Sequence, residues 1–114
     1  LGPVVRQGDD AWFNVVRWSF IAMINAEELG VTSKNVKKMK KSKNPSIQRL
    51  LGVNGKTGED LGLSKSWAYD IIKQVGNYAQ SFERNVGKDS PLKISRGQNA
   101  LWKDGGLHYG PPVR

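Results

Sequence analysis

The stretch Asp9 to Gly30, DDAWFNVVRWSFIAMINAEELG, constrains the fold more than any other. Between Ala11 and Ile24, the residues Trp12, Phe13, Val15, Val16, Trp18, Phe20, Ile21, Met23 and Ile24 fall on every side of a helix, interrupted by Asn14, Arg17 and Ser19. A helix on the surface of a small domain carries an apolar stripe roughly 100° wide, whereas one apolar nearly all round has to be covered on more than one side. A chain of 114 residues is large enough for one core and not for two. The rod is therefore short of cover.

A membrane span needs about 20 predominantly apolar residues, and this run is shorter and carries Arg17. A cleaved signal peptide would have a basic region ahead of it, whereas Asp9 and Asp10 precede the run and Glu27 and Glu28 follow. A central core helix remains. Asp9 or Asp10 can cap its free amides, and Gly30 stands where a left-handed C-terminal residue is expected.

An apolar fraction of 38% and four Trp exclude a wholly disordered chain, while 13 Gly imply many breaks between short elements. With no Cys, disulfides, thiolate catalysis and cysteine metal sites are excluded and the compartment stays open. One histidine, His108, rules out a histidine metal cluster. The chain does not begin with Met, as expected of a processed product or a fragment. The net charge of +8 invites a nucleic-acid reading. Lys34, Lys37, Lys38, Lys40, Lys41 and Lys43 fall within ten residues, without interleaved aromatics for base stacking, which suits a solvated helix face better.

Leu1 to Arg6 reads as an extended segment suited to a sheet edge. Ser33 or Thr32 can cap a short helix from Lys34 to Lys41, with Val36 and Met39 as its apolar side. Isolated helices under about 12 residues do not persist in water, so it must lie on something. Asn44-Pro45 is a helix start, with Ile47, Leu50 and Leu51 buried and Gly52 ending it. Val53 to Leu63 has three Gly and no periodicity and reads as a loop. It lacks both phosphate-binding glycine patterns, so a phosphate cradle is disfavoured. Ser64 to Gly87 reads as a second long helix, with Trp67, Ala68, Ile71, Ile72, Val75, Tyr78, Ala79 and Phe82 on one face. Gly76 inside it suggests close approach of a neighbouring helix, the central one. Ser95 can cap a last short helix ending at Lys103, and the tail after it should lie extended across the body, since Pro111-Pro112 cannot be helical. The fold class is mainly α, with two long and about three short helices and extended ends, in one segment spanning 1–114.

For catalysis the candidates are few. A small muramidase-like enzyme could use Glu27 or Glu28 with a second carboxylate, but both sit in the last turn of an apolar helix, where solvation is the simpler account. Ser64 with Lys65, or Ser66 with Asp70, have no distinctive nucleophile-and-base spacing. His108, between Leu107 and Tyr109, suits packing or hydrogen bonding better than base chemistry. No catalytic, cofactor-binding or metal-binding residue is expected, and no enzyme.

The stretches Gly2-Pro3-Val4-Val5-Arg6-Gln7-Gly8-Asp9-Asp10, Ile24-Asn25-Ala26-Glu27-Glu28-Leu29-Gly30, Asn44-Pro45, Arg49-Leu50-Leu51-Gly52, Gly76-Asn77-Tyr78, Phe82-Glu83-Arg84-Asn85-Val86-Gly87, Ser90-Pro91-Leu92-Lys93-Ile94, Leu101-Trp102 and Gly105-Gly106 follow one another in order along the chain. Together they resemble the C-terminal third of the periplasmic general L-amino-acid-binding proteins, the family 3 solute-binding receptors of polar amino-acid ABC transporters. The resemblance implies two α/β lobes that close over an L-amino acid and deliver it to an ABC permease, outside the inner membrane, with no cofactor. It implies that this segment belongs to the first lobe, that Leu1 to Arg6 is a strand returning to it, and that the central helix packs on a sheet formed by other residues. Ligand contacts of the family lie upstream of the matched part, so none is carried onto this chain. Lys37 and Lys38 are more basic than the family pattern, and Gln98 stands where an apolar residue is expected. Alone, the segment should pair with another copy to hide its apolar face.

Overall fold

The computed structural model describes residues 1–113. Six α-helices and two 3₁₀ turns form the body, with no strand among the described residues. The first helix, α1 (Asp10–Glu28), is the expected rod. The Asp9 carboxylate accepts the Trp12 N–H at 3.0 Å, satisfying one of the amides that a helix start leaves free. At the other end Gly30 has a φ of +73° and Val31 N–H returns to the Ala26 carbonyl at 2.8 Å, the left-handed stop that glycine permits.

Two short helices follow where the sequence places them. α2 (Val36–Met39) buries Val36 completely, and α3 (Pro45–Leu50) starts on the Asn44 side chain, which accepts the Ser46 N–H at 2.9 Å. The glycine-rich segment departs from the expectation of a loop, because α4 (Thr57–Asp60) forms inside it. Gly58 is the reason it can: it is buried against the Ser64 carbonyl and the Trp67 ring, and any side chain there would run into both.

The second long helix is corrected to two. α5 (Trp67–Gln74) stops at Val75, Gly76 turns with a φ of +98°, and α6 (Tyr78–Asn85) begins on an extended Asn77. Asn77 Oδ1 accepts the Gln80 N–H at 2.9 Å and Gln80 Oε1 accepts the Asn77 N–H at 3.0 Å, a reciprocal cap that starts a new helix. Gly76 is therefore a turn residue and not a point of close helix approach; a Cβ there would meet the Gln80 side chain at 2.7 Å. The expected last helix is likewise broken into the 3₁₀ turns Gly97–Asn99 and Trp102–Asp104, because Ala100 and Leu101 between them are extended. Gln98 is exposed, so no apolar residue is needed at that position.

Both α5 and α6 pack on α1, which lies between two apolar clusters. One joins Ile21, Ala22 and Ala26 to Leu50, Leu51, Trp67 and Ile72, and the other joins Ile24 to Tyr78, Phe82 and Leu101. The C-terminal half of α1 is thus walled on two sides by its own chain.

The tail crosses the body as expected. Asn25 Nδ2 donates to the Pro111 carbonyl at 2.6 Å, the Gly110 N–H donates to Glu28 Oε1 at 3.1 Å, and Val113 is buried in the first cluster. At the other end, Leu1 to Arg6 forms no regular element, and the Leu1 ammonium donates to Asn99 Oδ1 at 2.7 Å.

Candidate docking face

The N-terminal half of α1 is the part of the rod that its own chain leaves open. Trp12 is 53% and Phe13 46% exposed, and Val15, Val16, Trp18 and Phe20 are only half-buried. Helix and tail together form an apolar groove of about 330 Å³, walled by Pro3, Val5, Phe13, Val16, Phe20 and Tyr109, with Arg17 at its edge. The two-sided demand read from the sequence is met from Ile21 onward and unmet before it. Contiguous exposed apolar surface of this kind marks an interaction site.

Behind the groove lies a polar and aromatic cluster. The Arg96 Nη2 donates to both Glu27 carboxylate oxygens, at 2.9 and 3.1 Å, and to the Asn99 carbonyl at 3.0 Å. Its guanidinium stands 5.4 Å from the ring centres of both Tyr78 and Phe82, a cation–π position. His108 packs edge-on to Tyr78 at 4.5 Å and to Phe20 at 5.8 Å. Burial holds the His108 imidazole below its ordinary value of 6.5, with the positive charges of the Leu1 amino group and Arg96 acting the same way. Burial also raises the Tyr78 hydroxyl, which Arg96 partly offsets.

These contacts give the sequence candidates structural work. Glu27 is held by the Arg96 guanidinium, and Glu28 accepts a backbone amide of the tail. Both carboxylates are engaged in contacts that hold the fold together. Ser66 Oγ donates to the Asp70 carboxylate at 3.1 Å and lies 3.4 Å from the Ser64 hydroxyl, a local contact at the exposed start of α5. His108 is a packing residue of the cluster. Among the described residues no group of His, Asp and Glu is arranged to hold a metal ion, and no helix is long and apolar enough to cross a membrane. Lys34, Lys37, Lys38, Lys40, Lys41 and Lys43 are all exposed, and the Lys40 ammonium lies 3.9 Å over the Tyr69 ring.

Arg96 and Asn25 are the functional-looking residues that sequence reasoning missed. Arg96 meets Glu27 across 69 residues and Asn25 meets Pro111 across 86, and nothing local announces either. Gln80 was legible in principle, since Asn77-x-x-Gln80 has the spacing of a capping box.

No protein-family model matches the chain. It is 60% identical over 116 residues to the general L-amino acid-binding periplasmic protein AapJ of Rhizobium johnstonii, covering all of this chain and 34% of that protein. It is 47% identical over 115 residues to the glutamate/glutamine/aspartate/asparagine-binding protein BztA of Rhodobacter capsulatus, again over all of this chain and 34% of the relative. Among solved structures, an ABC transporter periplasmic binding protein from Brucella ovis with glutathione bound superposes with a TM-score of 0.92 at 61% identity, over 96% of this chain and 35% of that one. The chain thus spans about a third of the length of the relatives it matches, and the matched third is their C-terminal part.

Proposed function

We propose that this chain, which belongs over its whole length to the family of amino-acid-binding periplasmic components of ABC transporters, serves as the C-terminal third of a receptor that delivers L-amino acids to an ABC permease. The receptor is periplasmic and not an enzyme. Within it, residues 1–114 complete the first lobe, and the open half of α1 seats on the part of that lobe built by other residues. The observation that carries the reading is 60% identity along the entire chain to a relative three times as long, joined to an apolar groove left open along the N-terminal half of α1.

Ligand contacts belong to the other two thirds, so this chain contributes scaffold. Its ligand class follows the relatives, one named for general L-amino acids and another for acidic amino acids and their amides, while the Brucella neighbour holds glutathione. Calorimetric titration of the receptor-length protein with a panel of L-amino acids and glutathione tests this. Saturable heat with one or more L-amino acids is expected for the long form and none for the 114-residue chain. A long form silent to the whole panel refutes the assignment. Alone, the chain self-associates through Trp12 and Phe13; a monodisperse monomer by light scattering contradicts that part.

A further inference from the structure

The net charge is not spread over the molecule. Residues 29–58 hold eight basic side chains and no acidic one, whereas the remaining residues hold ten of each, so the whole +8 resides in this one segment. α2 lies at its centre. Val36 is fully buried and Met39 half-buried against the body, which turns Lys34, Lys37, Lys38 and Lys41 to the opposite side at steps of three and four. All four are exposed, and the one ion pair among the described residues, Arg96 with Glu27, lies elsewhere. The stripe has a fixed base: Asn35 Nδ2 donates to the Gly30 carbonyl at 2.9 Å, and its Oδ1 accepts the Thr32 N–H at 2.7 Å.

We propose that the lysine stripe along α2 and its flanking turns is an electrostatic docking surface for an anionic phospholipid membrane. The proposal rests on the receptor reading, which puts the protein beside a membrane that holds its permease. The stripe is lysine throughout, with no arginine for bidentate pairing and no aromatic for stacking. Point charges on flexible stems suit a fluid array of headgroups better than a shaped partner. The docking face of α1 does not compete for it, because Trp12 and the end of α1 are separated by roughly 24 Å at ~1.5 Å per residue. A receptor held loosely at the membrane surface searches for its permease over two dimensions.

The test is co-sedimentation of the receptor-length protein with vesicles of phosphatidylcholine alone or with about 30% phosphatidylglycerol, where each lysine near such a surface multiplies partitioning about fivefold. Wild-type protein is expected on the anionic vesicles and not on the neutral ones. Lys37→Gln with Lys38→Gln, both at exposed positions, should lower partitioning about 25-fold, and raising salt from about 0.05 to about 0.5 M should abolish it. Equal capture by neutral vesicles, an unchanged double variant, or tighter binding to duplex DNA at the same salt overturns the proposal. Amino-acid titration of the same protein separates the two readings. Heat without vesicle capture defeats the docking surface alone, and capture without heat defeats the receptor assignment alone.

Discussion

Replacing Trp12 and Phe13 together by Ser distinguishes a helix that lacks its partner from one that never had any. In the chain alone these rings are 53% and 46% exposed. Rings of this kind offer roughly 150–250 Å² each, so about 100 Å² per ring remains wet. At ~25 cal/mol per Å², covering that area in the receptor is worth about 2.5 kcal/mol per ring. The pair gives an upper bound of about 5 kcal/mol, and allowance for a partly collapsed unfolded chain brings it to about 3–4 kcal/mol. Ser, Trp and Phe differ little in helix propensity, so α1 itself is nearly indifferent to the exchange. The half of each ring already covered is lost in both contexts and cancels. Urea unfolding of the 114-residue chain and of the receptor-length protein, each with and without the double substitution, therefore reads the uncovered half by difference. The receptor should lose about 3 kcal/mol more than the short chain. Losses equal within about 0.5 kcal/mol would mean that nothing in the long form seats on this face.

Asn77→Ala should cost about 2–3 kcal/mol in thermal or urea unfolding, because it removes the α6 cap and the 2.9 Å bond from Nδ2 to the buried Val31 carbonyl. Asn77→Ser, which keeps the cap alone, should fall between. Gly76→Ala should destabilise by more than 1 kcal/mol, since it forces a Cβ onto a φ of +98° and towards Gln80; a neutral effect in the same assay would return Gly76 to the interior of a single helix. Stability should also follow the protonation of His108. Its folded value lies below the ordinary 6.5, so the unfolded chain takes up the proton first as pH falls. The contribution is complete above pH 6.5, declines below it and levels once both forms are protonated, and His108→Gln should flatten that part of the pH profile. A profile that rises on acidification between pH 6.5 and 5 would reverse the assignment.

The first helix was legible because everything that defines it is local: an aspartate ahead, a glycine behind, and apolar residues on every side. Its open half could be anticipated too, as a mismatch between apolar surface and chain length. The break at Gly76 was hidden by its own regularity. Trp67, Ile71, Ile72, Tyr78 and Phe82 keep helical spacing across the turn, so periodicity continued while the backbone did not. Thr57–Asp60 was masked by its glycines, whose freedom argues against a helix until Gly58 is seen pressed against Trp67. The Arg96–Glu27 pair lay beyond sequence reasoning, for its partners are brought together only by the completed fold. The grouping of charge, by contrast, was written in the order of the residues and needed only α2 to give it a direction.

The strap formed by Gly110, Pro111 and Val113 has a consequence for how the polypeptide is made. The last turn of α1 is fastened by partners 82 and 86 positions further along, so those bonds cannot close while the ribosome still holds the later residues. From the emergence of α1 until the tail follows, Asn25 and Glu28 stay unclasped. At about 5–20 residues per second that interval lasts several seconds, so the end of the rod is fixed only after the rest of this segment has been made.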